Sequence, residues 1–480
     1  MVFSSFEFLF RFLPAFLIIY FITPKKFRNA VLFLGSIAFY TYGEAQYVLL
    51  LLASVTVNYV IARSMYKTPE DGRGRRQAVL LVLALCYDFG MLFFFKYSGL
   101  TTKLPLGISF YTFQIAAYVI DVYRGIVPAE KSYVNLGTYL TMFPQLIAGP
   151  IVNYTEVSSC LKRRTVTARD FESGIRILVI GLGSKVIIAD RVGMLWNNVQ
   201  TIGFNSISTP LAWLGAVAYS MELYFDFAGY SMMAIGLGKI LGFTFPENFR
   251  YPFISKSISE FWRRWHMTLG GWFRDYLYIP LGGNRVSVLR WCFNMFVVWL
   301  LSGLWHGAGW NSALWGLYFG VFLSAEKLIG RKWKERSFKI ADISANNDSN
   351  GGNRENMFLT CVRNIIEHGY VLLVVLFSFV IFRVESVREI KEQLLGLAGS
   401  YGNAMTPMAA YEIKSYLILL LIACAGATPF PAMWVQRLKN ANMWKKSGWL
   451  LQSCYILTGL VLATAFLLGS SVHPFLYFRF

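Results

Sequence analysis

Apolar residues in this chain come in long runs separated by short polar breaks, and the runs have the length of membrane crossings. A spanning helix takes about 20 largely apolar residues. Such stretches fall near 6–23, 27–42, 46–66, 77–97, 133–151, 171–195, 210–242, 288–304, 311–329, 357–382, 412–430 and 447–469. Ten to twelve spans are predicted, and with them an all-α polytopic membrane fold. Two segments depart from the pattern. In 104–123, Pro105 and Gly107 break helix while Gln114 and Asp121 are costly in lipid, so a re-entrant helix buried against protein is expected. In FPQLIAGP, 143–150, two prolines and a glycine punctuate an apolar run. The backbone they free needs partners in protein or water, so the stretch lines a cavity or forms a kinked helix end. The polar stretch ADISANNDSNGGNREN, 341–356, reads as a loop. No repeat and no linker divides the sequence, which reads as one membrane domain over 1–480.

Composition agrees: 56% of residues are apolar and 15% charged, against about a quarter charged in soluble domains. The net charge of +19 gathers between the apolar runs, at Lys25, Lys26 and Arg28, at Arg73, Arg75 and Arg76, at Lys162, Arg163 and Arg164, and at Arg331, Lys332, Lys334 and Arg336. Short basic loops hold a cytoplasmic side against anionic lipid, which puts the loops after the first and third spans inside and the N-terminus outside. With no basic groove or recognition motif, the expected partner of this charge is lipid and not nucleic acid. The six cysteines are scattered without a CxxC or Cys/His spacing and read as packing residues. The first apolar stretch, ending at Ile22, runs into basic residues instead of a cleavage site, so a retained span is expected.

The candidate chemistry lies in two places. Residues 256–285, KSISEFWRRWHMTLGGWFRDYLYIPLGGNR, carry too many charges for a span. Ile258, Phe261, Trp262, Trp265, Leu269, Trp272 and Tyr276 recur at three- and four-residue steps, with Arg263, Met267 and Arg274 opposite. That predicts a helix lying in the interface over 256–276, tryptophans at headgroup level and arginines toward water or phosphate. His266 falls on the flank of the apolar face, as a functional group or as a packing residue. The second place is His306, which follows the uncharged run 294–304 within Trp305-His306-Gly307-Ala308-Gly309-Trp310-Asn311. An ionisable side chain at membrane depth usually faces a cavity or pathway. An imidazole, with an ordinary pKa of about 6.5, suits a general base; the other reading is a histidine bonding neighbouring helices. Gly303, Gly307 and Gly309 would let backbone or substrate come close to it. Two histidines 40 positions apart make a poor zinc signal, and no metal is expected. Glu222 and Asp226, four apart on one helix face, supply carboxylates or pair with arginines. No G-x-S-x-G elbow and no Walker loop is present, which disfavours a serine hydrolase and a nucleotide-driven pump.

Taken together, PLGISFYTFQ at 105–114, FPQLIAGPI at 143–151, ENFRYPF at 247–253, FWRRWHMTLGGWFRDYLYIPLGGNR at 261–285, LSGLWHGAGWNSALWGLYFG at 301–320 and HPFLYFRF at 473–480 resemble the membrane-bound O-acyltransferases of the bacterial alginate O-acetylation type. These are related to the protein that moves D-alanine for teichoic acid. The resemblance implies that His306 is the membrane-embedded histidine of acyl transfer and His266 its second motif position. It also implies a ring of tilted helices around a central funnel or tunnel. Trp262, Trp265, Trp305, Asn311 and Gln145 are candidates to line that tunnel, and Arg263 and Arg264 to hold donor or lipid phosphate. The implied reaction moves an acyl group, acetyl above all, from acetyl-CoA or another thioester to an extracytoplasmic polysaccharide, with no bound cofactor. It implies an SGNH-type partner protein and a bacterial cytoplasmic membrane. The related alternative is D-alanyl transfer from a carrier protein; an alternative of another class is a polysaccharide transporter.

Overall fold

Without water to bond to, backbone N–H and C=O groups inside an apolar run satisfy one another, and the result is helix. The computed structural model describes residues 2–66, 74–100, 103–344, 353–384, 386–402, 404–440 and 442–469, without side chains at 331–344, 353–358 and 442–447; the described residues contain no β-strand. The helices run α1 Phe8–Ile22, α2 Arg28–Glu44, α3 Val48–Met65, α4 Arg75–Tyr97, α5 Ile108–Arg124, α6 Tyr133–Thr141, α7 Phe143–Leu146, α8 Tyr154–Lys162, α9 Ala168–Gly183 and α10 Asp190–Ile202. They continue with α11 Thr209–Ile240, α12 Ile258–Trp262, α13 Met267–Phe273, α14 Val288–His306, α15 Trp310–Ser344, α16 Asn353–Arg383, α17 Val387–Leu397, α18 Pro407–Gly426, α19 Phe430–Asn440 and α20 Asn442–Leu468.

Six stretches among the described residues are long and apolar enough to cross a membrane: Lys25–Met65, Arg75–Tyr97, Val288–His306, Leu359–Arg383, Pro407–Gly426 and Gly448–Leu468. The first would be about 60 Å long at 1.5 Å per residue, twice a bilayer core. Its backbone leaves helical geometry at Glu44 (φ −146°, ψ 54°), so it holds α2 and α3 as separate segments. The number stays below the ten to twelve predicted for physical reasons. Helices form over 171–195, 210–242 and 311–329, but charged and polar positions lower their apolarity. Over 133–151 no single span forms. α6 has nine residues, about half a bilayer core, and the chain turns at Met142 (ψ 122°) ahead of Pro144.

Close contacts divide the chain into two units, the first made of Met1–Arg191, Glu222–Asn248 and Leu438–Phe480, the second of Val192–Met221 and Phe249–Arg437. The core of the first unit is aromatic: Phe3 stacks on Tyr230 at 4.7 Å, and Phe8, Phe39 and Phe143 pack around it. α5 is buried along nearly its whole length, as expected of a helix set against protein. Gly107 (φ 77°) opens it, and a Cβ there would lie 2.3 Å from the Leu146 carbonyl oxygen, so the 105–114 and 143–150 motifs touch backbone to backbone. The backbone around Pro144 finds protein partners. Gln145 Nε2 donates to the Tyr139 carbonyl at 2.5 Å, Tyr139 Oη to that of Val152 at 3.0 Å, and Asn248 Nδ2 to that of Gly149 at 3.4 Å. Asp226 pairs with buried Lys185 at 2.5 Å, and Lys185 also reaches Asp190 at 2.6 Å. Asp226 thus pairs with a lysine in place of the expected arginine.

The basic run 331–336 lies on the backbone of α15 and not in a loop. The polar stretch 341–356 is helical at both ends, to Ser344 and from Asn353, and 345–352 lie outside the described residues. The 473–480 motif and Arg73 also lie outside them.

Candidate active site

The second unit holds both candidate histidines, His266 and His306. α14 and the first half of α15 form a helical hairpin in which small residues let the two backbones meet. A Cβ on Gly303 would sit 2.2 Å from the Ser312 carbonyl oxygen, and one on Gly316 would sit 2.2 Å from that of Trp299. The room at Gly303 is therefore filled by the antiparallel helix, the first of the two uses expected of these glycines. His306 closes α14, Gly307 continues in extended conformation (φ −164°), and α15 begins at Trp310. Asn311 Nδ2 donates to the Phe382 carbonyl at 2.8 Å, joining the start of α15 to the end of α16. His306, 3% exposed, is surrounded by ring edges and faces. Trp305 lies at 4.8 Å, Trp315 at 5.0 Å and Phe382 at 5.5 Å, each within 16° of perpendicular. Such edge-to-face packing fixes a ring's plane as well as its position.

His266 approaches from another element. In place of one interfacial helix over 256–276, the structure has two short helices, α12 and α13, separated by a turn at 263–266. The break is at His266 itself, whose backbone is left-handed (φ 42°, ψ 53°) and which caps α13. Tyr251 is the other described non-glycine residue with positive φ (47°). Between these two, Arg250 N–H donates to the Arg264 carbonyl at 2.8 Å, and Arg264 Nη1 returns a bond to the Arg250 carbonyl at 3.2 Å. Left-handed backbone costs a non-glycine residue of order 1–3 kcal/mol and persists only where its surroundings fix it. Here the reciprocal Arg250–Arg264 pairing fixes it.

The break redirects the tryptophans. Trp262 packs on Trp299, Trp315 and Phe319 at 4.6, 5.6 and 4.8 Å. Trp265 packs on Phe249, Phe261 and Phe379 instead. Ser257 lines a cleft with Trp291, near the first turn of α14, Trp262 meets Trp299, and the His266 ring lies 6.3 Å from Trp305. The segment 257–266 thus runs alongside α14 toward His306. Trp305 is the neighbour of both imidazoles. His266 is 1% exposed and lies nearly parallel to the Phe249 ring (24°). Burial pushes its pKa down to about 3, so the ring is neutral near pH 7.

The other candidates separate. Trp305 packs on His306 itself, Trp262 and Asn311 stand one layer back on Trp315 and on the Phe382 carbonyl, and Trp265 packs on Phe249 behind His266. Arg263 is exposed, while Arg264 is bound to Glu260 at 2.9 Å. Gln145 belongs to the first unit and serves the α6 backbone. Three residues of the shell escaped the sequence reading: Trp315, Phe382 and Phe249. Trp315 had a signal, since the hairpin at Gly307–Gly309 returns it to the level of His306; Phe382, 76 positions away, had none in the local pattern. Among the described residues, no three His, Cys, Asp or Glu side chains are grouped to hold a metal ion.

The fold and site define a polytopic α-helical membrane protein whose second unit buries two histidines, His266 and His306. A profile of the membrane-bound O-acyltransferase family matches residues 128–346, which include both. The chain is 38% identical to a probable alginate O-acetylase of Pseudomonas fluorescens, over 84% of this chain and 76% of that protein. It is 30% identical to a peptidoglycan O-acetyltransferase of Helicobacter pylori over 100% of this chain and 98% of that one. A teichoic acid D-alanyltransferase of Bacillus subtilis is 32% identical over 48% of this chain and 60% of its own length. The chain belongs to the membrane-bound O-acyltransferase family and is an acyltransferase.

Proposed function

We propose that this acyltransferase takes an acetyl group from a cytoplasmic thioester, acetyl-CoA, and passes it through a central tunnel for O-acetylation of an extracytoplasmic polysaccharide. The observation that carries the reading is the pair of buried imidazoles that share Trp305 as a neighbour, one of them closing α14. His306 acts as the general base. It takes the proton of the acceptor hydroxyl as that oxygen attacks the thioester carbonyl, and returns it to the departing thiolate, leaving an ester and a free thiol. His266, neutral and held by its left-handed turn, donates a hydrogen bond to the carbonyl oxygen as charge develops there. The aromatic shell keeps water from the thioester, which would otherwise be hydrolysed.

Acetyl is favoured over D-alanyl by coverage: the peptidoglycan O-acetyltransferase aligns with the whole chain, the D-alanyltransferase with about half. An SGNH-type protein outside the membrane completes transfer to the polymer, and the site of action is the bacterial cytoplasmic membrane. The test is mass analysis of surface polysaccharide from cells carrying wild type or His306→Ala, with the amount of inserted protein measured alongside. Loss of the base should lower O-acetylation about 10²- to 10⁴-fold at equal protein level. Unchanged acetylation in the variant would overturn the assignment. Loss of polymer export, with acetylation intact on whatever escapes, would point to a transporter.

A further inference from the structure

A cleft of about 780 Å³ opens in the second unit beside α12, α14, α15 and α16, away from the shell of His306. Its lining combines two kinds of surface, and of its two carboxylates Glu326 is taken by the Ile258 N–H and Glu367 by Arg363 at 2.7 Å. Met295, Phe322 and Leu323 make an apolar wall, while Lys256 and Lys327 bring two ammonium groups to the same opening. Each lysine is held by an amide oxygen: Lys256 Nζ donates to Asn364 Oδ1 at 2.9 Å, and Lys327 Nζ to Asn284 Oδ1. Lys327 also lies over the Trp291 ring at 4.1 Å.

Trp291 fixes the level of the cleft. It stands near the start of α14, a helix whose 19 residues give about 28 Å, one bilayer core. The two lysines therefore lie where a spanning helix meets the headgroup layer, the ordinary place for tryptophan and lysine side chains. We infer that the cleft binds one anionic phospholipid, its phosphate on Lys256 and Lys327 and an acyl chain along Met295, Phe322 and Leu323. A water-borne polyphosphate would gain little from so apolar a wall, and a zwitterionic lipid little from a second lysine.

The site has a structural consequence. Lys256 and Lys327 flank Glu326, whose carboxylate accepts the N–H groups of Ile258 and Ser259 at 2.6 and 3.0 Å and so ties the start of α12 to α15. A bound phosphate would hold both lysines at this junction, at the head of the segment that carries His266.

The full-length protein purified from membranes, then examined by native mass spectrometry, tests the inference. Wild type should retain one phosphatidylglycerol or cardiolipin in preference to phosphatidylethanolamine. Two lysines near an anionic lipid contribute about 30-fold in affinity, so Lys256→Gln with Lys327→Gln should lose the retained lipid by that order, while Lys25→Gln with Lys26→Gln keeps it. Added phosphatidylglycerol vesicles should raise the melting temperature of wild type and not of the double variant. Equal lipid retention by both proteins would overturn the inference, as would wild type that shows no anionic preference. Displacement of the lipid by free coenzyme A would also overturn it, assigning the cleft to the donor. The thermal shift does not depend on acyl transfer.

Discussion

Substituting Gly303 by alanine tests whether the backbone contact between α14 and α15 sets the position of His306. The new Cβ would meet the Ser312 carbonyl oxygen at 2.2 Å and its carbon at 3.1 Å. Both are backbone atoms, so no side chain can rotate away. Ordinary contact begins near 3.4 Å, and the helices must part by about 1 Å to reach it. Overpacking of this kind costs roughly 1–3 kcal/mol. His306 lies less than one turn beyond Gly303, so its ring moves relative to Trp315 and Phe382, and a displacement of 1 Å in a catalytic group costs about a hundredfold in rate. Two further variants separate stability from geometry. Gly316→Ala meets the Trp299 carbonyl oxygen at the same 2.2 Å, at a level two helical turns from His306; Gly90→Ala meets nothing within 4 Å. Thermal unfolding in nanodiscs should show the first two destabilised alike and the third unchanged. Polymer O-acetylation, normalised to inserted protein, should fall about a hundredfold for Gly303→Ala and much less for Gly316→Ala. Equal activity losses would mean that stability alone is at stake, and an unaffected Gly303→Ala would refute the close contact.

Two further predictions concern charge. His266 has its pKa lowered by burial to about 3, below the ordinary value of about 6.5. Its neutral form therefore favours the fold above pH 6.5, and that contribution is lost as pH falls toward 3, by about 2 kcal/mol at pH 5. His266→Asn should flatten the change in melting temperature between pH 7.5 and pH 5; an identical slope in both proteins would refute the buried neutral imidazole. Lys185→Met leaves Asp226 and Asp190, 1% and 14% exposed, without their common cation; removing one partner of a buried pair costs about 3–5 kcal/mol. Adding Asp226→Asn should restore part of it in a double-mutant cycle, and strictly additive losses would refute the pairing.

The helical, membrane-embedded character of the chain was legible because apolar runs are read one residue at a time: each run predicts its own helix wherever the others lie. The same local rule misjudged two places. Residues 133–151 have the apolarity of a span, but Met142 and Pro144 turn the chain. Residues 256–276 show a helical period, but the period assumes that every residue keeps right-handed backbone. His266 does not, and its departure follows from the Arg250–Arg264 pairing, which no local pattern announces. The histidines themselves were legible because ionisable groups in apolar surroundings are rare. Phe382 and Phe249, which complete their shells, are ordinary apolar residues in sequence and acquire a role only through the fold.

The left-handed turn bears on how the site works. A histidine on a continuous interfacial helix would sit with the headgroups, solvated and mobile, its proton affinity near the ordinary value. The left-handed turn instead places His266 against Trp305 and Phe249, where burial holds it neutral. A neutral imidazole can give a hydrogen bond to a carbonyl oxygen without first losing or gaining a proton, which in the proposed mechanism leaves proton transfer to His306. On that proposal the two histidines are separated in role by environment. The strain at His266 is what reaches that environment: a right-handed residue there would direct the side chain elsewhere. If so, His266→Gly, which relaxes the backbone and removes the ring, should gain stability from the turn while losing acyl transfer, and a loss of stability as large as that expected for an ordinary buried side chain would argue that the turn stores no strain.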